Sequence, residues 1–216
     1  MALEAQEGRL IGRFVSDSVR DIAGRLSLDQ AVLEGQARNA VVMFAQLSGF
    51  KKVLESSDPT TVIKDLNEHL KTMSRLIRDQ GGEIDKFIGD KILAVFHASP
   101  DGDLARAGAA ALRAAQQMRL ARKTSEVPFA GSLGVGIVAG QVLAGILGTP
   151  ELRLEYTVIG DRVNLASRLA DIAAEMPGGA VIASYSLPGK LPKVSPIPSV
   201  KVKGKAMEIN IFKLDE

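Results

Sequence analysis

The segment GGEIDKFIGDKILAVF, residues 81–96, constrains the fold of this chain more than any other, because its hydrophobic period departs from the helical period on either side. Glu83 to Ile88 and Lys91 to His97 are short runs of strand-forming residues joined at Gly89-Asp90, a dipeptide suited to a tight hairpin. A strand from Ala40 to about Gln46 precedes them. It is followed by a helix opened by Ser57-Asp58-Pro59 and stopped by Gly81-Gly82. After the hairpin come an Ala-rich helix, Asp101 to Arg122, and a β-branched, glycine-punctuated run from Gly131 to Gly148. Another strand (Arg153 to Ile159), a helix (Gly160 to Ala174) and closing strands at Ala180 to Ser184 and Met207 to Leu214 complete the pattern. A proline-rich stretch from Pro188 to Pro198 reads as a connection. This order predicts an α+β sandwich with helices on one face of a largely antiparallel sheet.

Upstream, Leu10, Ile11, Phe14, Val15, Val19, Ile22 and Leu26 form the stripe of an amphipathic helix that needs a partner surface, and Ser27 to Asn39 reads as a linker. The expected division is therefore 1–37, helix and linker, and 38–216, one globular domain. At 216 residues, 46% of them hydrophobic, the chain can bury one sizeable core. Several chemistries are poorly supplied. Aromatics make up 4% with no Trp, which argues against a stacking platform for nucleic acid. With no Cys there is no thiolate zinc site or cysteine nucleophile, and the two histidines, His69 and His97, fall in elements that read as structural. No apolar run is long enough to span a bilayer and the start MALEAQEG does not resemble a signal peptide, so the expected location is cytoplasmic. The net charge of +2 comes from interspersed residues and is compatible with a polyphosphate ligand.

Three positions stand out chemically. Gln46 is a neutral side chain delivered to the carboxyl end of an apolar strand, where ligands collect in open α/β folds. Asp90 sits at the hairpin tip and could offer oxygen to a divalent cation, although Gly and Asp are favoured in such turns whatever the function. Lys86, counted on a period of two, shares a face with Ile84 and Ile88, where a solvated lysine is unexpected unless it snorkels at a sheet edge. On the later helix Asp161, Asn164, Arg168 and Asp171 form one polar face opposite Val163, Leu165, Leu169 and Ile172. That face is either an ordinary solvated one or a pair, Asn164 and Arg168, able to reach the same ligand.

Together VVMFAQLSGF, GGEIDKFIGDKILAVF, LGVGIVAGQVLAGILG, YTVIGDRVNLASRL and VKGKAMEINIFKL resemble, in order, the class III adenylate and guanylate cyclase catalytic domain from about Ala40 to Leu214. The resemblance implies a ferredoxin-like βααββαβ core with extra strands, active as a head-to-tail dimer with composite sites. It implies that a ribose 3′-hydroxyl attacks the α-phosphorus of a nucleoside triphosphate, with two divalent ions held by two aspartates. Asp90 matches the second aspartate. Gln46 stands where the first is expected, so a weakened Mg²⁺ or Mn²⁺ site is implied, since an amide offers only a neutral oxygen. Lys86 matches the lysine that donates to adenine N1 and Thr157 its companion, a neutral acceptor for the N6 amino group in place of the commoner Asp, so ATP is implied over GTP. Asn164 matches the ribose-orienting residue and Arg168 the one that stabilises charge at the α-phosphate. The turn Leu47, Ser48, Gly49 and Phe50 is implied to cradle the β- and γ-phosphates with backbone N–H groups. Such a chain works as a weak adenylate cyclase homodimer, or as a pseudo-cyclase that binds nucleotide, dimerises, or pairs with a metal-competent cyclase domain.

Overall fold

The computed structural model describes residues 35–125, 132–149, 153–184, 186–188, 192–201 and 208–215. The expected N-terminal helix and part of VKGKAMEINIFKL lie outside the described residues. The first strand, β1 (Gly35–Leu47), is followed by α1 (Phe50–Ser56), α2 (Pro59–Asp79), β2 (Glu83–Ile88), β3 (Lys91–His97), α3 (Ala105–Lys123) and β4 (Leu133–Thr149). This is the βααββαβ order. Next come β5 (Arg153–Ile159), α4 (Asp161–Glu175), β6 (Val181–Ser184), β7 (Val194–Lys201) and β8 (Glu208–Leu214). Among the described residues the sheet has eight strands in the order β2-β3-β1-β4-β6-β8-β7, with β5 paired to β4 off this path. Among the described residues only the β4–β6 pairing is parallel.

Local grammar explains most boundaries. The Asp58 side chain accepts from the Thr61 N–H at 2.9 Å and Pro59 opens α2, while Gly81 takes φ 79° just past its end. Gly89 turns the β2–β3 hairpin with φ 62°. Short α1, which the sequence pattern did not separate from the turn before it, starts after Gly49 at φ 72°.

Helices cover both faces of the sheet, which corrects the one-face expectation. Val41, Met43 and Ala45 of β1 pack with α2 and α3 residues such as Met73, Ile77, Ala111 and Met118. Their neighbours Val42 and Phe44 point the other way, into a second cluster with Leu165, Leu169 and Ala173 of α4. Because β1 is buried on both faces it reads as a continuous apolar run without alternation. Two β4 glycines let α4 lie against the sheet: an added Cβ on Gly134 would stand 2.2 Å from Ala174 N, and one on Gly136 2.2 Å from Ala166 O.

Two further expectations change. Residues 35–39, read as linker, extend β1 and pair with β4 from Gly35↔Gly145 onward. Residues 194–198, read as the end of a proline-rich connection, begin a strand, β7: among the described residues it lies at the sheet edge with one partner, β8, a position where prolines such as Pro196 and Pro198 are tolerated. The register shifts between Ile197 and Val200, beside Pro198.

His69 of α2 is buried at 2% exposure, and neither ring nitrogen has a hydrogen-bond partner. Burial, reinforced by the Arg122 charge, pushes its pKa down from 6.5 to about 4. The folded protein therefore resists a proton that the unfolded chain accepts, so stability is intact above pH 6.5 and is lost as the pH falls toward about 4. The expected loss is about 2 kcal/mol by about pH 5. Urea titrations of the parent and of His69→Leu across that window should show the slope in the parent and a flatter profile in the variant. Parallel profiles would rule out His69 as its source.

Candidate functional site

β1 ends beside the hairpin tip, and this brings Gln46 and Asp90 to one end of the sheet. The Leu47 N–H donates to Asp90 Oδ2 at 3.0 Å. Burial pushes the Asp90 carboxyl above the usual aspartate range; the Leu47 N–H, the Asp90 backbone N–H and Lys91 pull it down, and Asp171 adds to the rise. Lys91 Nζ in turn donates to Asp171 Oδ1 of α4 at 2.5 Å. Beside these groups Gln46 is only partly buried, but its Oε1 is fully enclosed and has no hydrogen-bond partner. An enclosed carbonyl oxygen without a donor is costly unless a water or a cation meets it.

The turn after β1 is less open than the resemblance implied. The Leu47 N–H is taken by Asp90, and the Ser48 N–H donates to the Ser132 carbonyl at 2.7 Å. The Ser48 hydroxyl donates to the Ala174 carbonyl at 2.6 Å and accepts from Ser132 Oγ at 2.9 Å. The Leu47 and Ser48 backbone donors are thus engaged, and the Phe50 side chain is buried in the core. Gly49 is exposed, and its φ of 72° keeps the turn tight.

On β2 the period-two count fails for a structural reason. Ile84 pairs with Ala94 and Lys86 with Leu93, so the strand bulges at Asp85. Ala94 belongs to the α2/α3 side and Leu93 to the α4 side. Lys86 therefore does not share a face with Ile84; the bulge turns it to the α4 side of the sheet, toward β5. There Lys86 Nζ forms an ion pair with Glu155 and lies 3.6 Å from Asp85 Oδ1.

Asp85 is the residue that sequence reasoning missed. Its side chain is 6% exposed and accepts from the Thr157 hydroxyl at 2.8 and 3.0 Å and from the Val158 N–H at 3.1 Å. Burial pushes its carboxyl up, while Thr157, Lys86 and the Val158 N–H pull against that rise and Glu155 adds to it. No period-two reading could find it, because the bulge that aims it at β5 is a pairing irregularity between strands. Thr157 itself is buried at 4% exposure.

Asn164 and Arg168 lie one turn apart on the exposed face of α4, while Val163, Leu165 and Leu169 are buried beneath them. Among the described residues neither side chain makes a hydrogen bond or ion pair, whether to the Gln46–Asp90 and Lys86–Thr157 groups or elsewhere; the Asn164 backbone N–H donates to the Gly160 carbonyl at 3.1 Å. Within one chain the expected site residues thus form two clusters and a free pair.

Among the described residues no three His, Cys, Asp or Glu side chains converge into a metal cage. The donor set at the β1 end, one partly buried carboxylate and one enclosed amide oxygen awaiting a partner, fits a divalent ion that takes its remaining oxygens from a phosphorylated substrate and water.

Residues 32–209 match the family profile of the Adenylate and Guanylate cyclase catalytic domain. The terminal-differentiation-specific adenylate cyclase of Dictyostelium discoideum is 30% identical over 95% of this chain, which spans 10% of that protein. An uncharacterized protein of Mycobacterium tuberculosis is 34% identical over 82% of the chain, which covers 32% of it. Among solved structures, the adenylyl cyclase CyaB from P. aeruginosa superposes with a TM-score of 0.75 at 28% identity, covering 85% of this chain and 97% of that one. The guanylyl cyclase Cya2 superposes at 0.73 and 28%, covering 83% and 92%. The chain thus spans a small part of these curated relatives but nearly all of the solved domains.

Proposed function

Because the chain belongs to the family of adenylate and guanylate cyclase catalytic domains, we propose that it is the nucleotidyl cyclase unit of a signalling protein, converting ATP to cyclic AMP and pyrophosphate. Two copies share each site, and Gln46 holds turnover low. The observation that carries this reading is the meeting of Asp85 and Thr157, 72 positions apart, beside Lys86, in a protein whose Asp90 and Gln46 lie together at another strand end.

The reaction forms one bond, from the ribose 3′-oxygen to the α-phosphorus, as the bond to the pyrophosphate oxygen breaks. Lys86 donates to adenine N1 once its ammonium leaves Glu155, and Thr157 accepts from the N6 amino group. Asn164 holds the ribose so that its hydroxyl lies in line with the α-phosphorus. Arg168 meets the charge that grows on the α-phosphate oxygens. Asp90 and the Gln46 amide oxygen would hold a divalent cation, Mg²⁺ or Mn²⁺, which would acidify the hydroxyl and neutralise the phosphates. In the dimer, Lys86, Thr157, Asn164 and Arg168 of one copy face Asp90 and Gln46 of the other. Exposed Phe87, Ile88, Leu143, Leu147, Leu154 and Ile159, at 37–50% exposure on β2 and the β4–β5 arm, suit such an interface.

The shared site is tested by complementation in a Gln46→Asp background. Asp90→Ala and Arg168→Ala each abolish cyclic AMP formation in the homodimer, and mixing them restores activity, up to about a quarter, because one of the two sites in a mixed dimer is whole. Mixtures that stay inactive while mixed dimers form would refute the composite site.

The neutral amide at position 46, where the family resemblance implies a carboxylate, also supports a second reading, a pseudo-cyclase that binds nucleotide or dimerises, or that lends its Lys86 half to a metal-competent cyclase domain. A Gln46→Asp protein that binds ATP but stays inactive with Mn²⁺ would favour it.

A further inference from the structure

We infer that Asp85, the bulged residue of β2, is a specificity-determining positioning residue: by taking the Thr157 hydroxyl proton it leaves Thr157 able only to accept, so the base site favours a purine with an amino group at C6. The inference rests on the reading of Thr157 as a base-contacting residue and adds the group that fixes its polarity.

A threonine hydroxyl is ambivalent, since it has one proton to give and lone pairs to offer. Alone at a purine edge, it could accept from the adenine amino group or rotate and donate to the guanine carbonyl. In this protein both Asp85 oxygens lie within 3.0 Å of Thr157 Oγ1. Asp85 also receives the Val158 N–H at 3.1 Å and has the Lys86 ammonium 3.6 Å away. Three donors converging on one enclosed carboxyl are the surroundings of a carboxylate, which has no proton to return. The only hydrogen in the Asp85–Thr157 contact is therefore the hydroxyl's own, and what remains on Thr157 for a ligand is lone pairs. Lys86 needs no such arrangement, because an ammonium can only donate. The donor Lys86 and the acceptor Thr157 then match adenine N1 and N6, and both oppose guanine.

The isosteric change Asp85→Asn reverses this polarity. Its carbonyl keeps the Val158 N–H and its amide donates to Thr157 Oγ1, which frees the hydroxyl proton for a ligand carbonyl. The experiment measures displacement of a fluorescent ATP analogue by ATP and by GTP, with Mn²⁺, for the full chain. The parent should prefer ATP. Asp85→Asn should narrow the ATP:GTP ratio at least about fivefold, the effect of one mismatched buried hydrogen bond. Adding Thr157→Asp to Asp85→Asn should restore the preference, because an acceptor is then supplied directly, and a merely structural role for Asp85 would not show that rescue.

If Thr157→Val leaves the ratio of the parent unchanged, the base-contact reading fails and takes this inference with it. If Thr157→Val narrows the ratio but Asp85→Asn does not, the inference alone is overturned. A third arm needs no substitution: analogues carrying hydrogen or methoxy at C6 keep N1 unchanged. The methoxy analogue should bind the parent more weakly than the hydrogen one. Equal or tighter binding would mean that Thr157 can donate, and would also overturn the inference.

Discussion

Gln46→Asp is expected to raise cyclic AMP formation with Mn²⁺ at least about tenfold, because in the proposed site a carboxylate would replace a neutral oxygen as direct cation ligand, where even supporting groups are worth about 10 to 100-fold. The same change should lower stability in the absence of divalent ions. The Asp90 carboxyl is already pushed up by burial, and Asp171 adds to that rise. A second carboxylate at the β1 end would meet this field without a cation to offset it. The variant should therefore melt several degrees below the parent in chelator, at about 2–4 °C per kcal/mol for a domain of this size. Added Mn²⁺ should raise its Tm more than that of the parent, since an ion that binds only the folded state stabilises by mass action. Activity and ion-dependent stability are thus predicted to rise together. Robust parent turnover with Mg²⁺ that Gln46→Asp leaves unimproved, or equal Tm gains in both proteins, would show that position 46 does not face the cation.

Gly136→Ala is expected to be among the most damaging single-methyl changes in the protein. Its Cβ would stand 2.2 Å from Ala166 O and 2.5 Å from Ala170 N, both α4 backbone atoms, which cannot rotate away as a side chain can. To reach ordinary contact α4 would have to lift by more than an ångström. Leu165, Leu169, Ala170 and Ala173 would then part from Val42, Phe44 and Val138. Overpacking a well-filled core typically costs about 1–3 kcal/mol, and a helix displaced along its contact line belongs at or above the upper end. The lift would also carry Asn164 and Arg168 with it, so cyclase activity should fall further than stability alone accounts for. Gly81→Ala is the control: nothing lies within 4 Å of its Cβ, so only the φ of 79° is strained, a cost of about 1 kcal/mol. Urea denaturation of both variants decides the matter. A Gly136→Ala protein no less stable than Gly81→Ala would mean that α4 is not seated on β4 as described.

Much of this architecture is legible in the chain. The hairpin at Gly89-Asp90, the capped start of α2 at Asp58 and the polar face of α4 follow from local rules, because turn geometry, caps and helical period are properties of a few adjacent residues. The site is legible in part. Gln46 and Asp90 are conspicuous by type and position, and the structure brings them to one strand end. The face that Lys86 occupies is not legible, because the β2 bulge is decided by how β2 pairs with β3. The saturation of Leu47 N–H and Ser48 N–H is equally hidden: their partners, Asp90 and Ser132, are distant in sequence.

By itself the sequence determined most of the segments that become strands and helices, though not α1 or β7, and which chemical groups reach the strand ends, including a neutral amide where the family resemblance implies a carboxylate. Tertiary structure decided which groups meet. Pairing register turned Lys86 and Asp85 toward β5, and two bare glycine backbones in β4 admitted α4 to the second face of the sheet. Local propensity acts over a few residues, whereas register and close backbone approach are settled only when segments far apart in the chain compete for the same space.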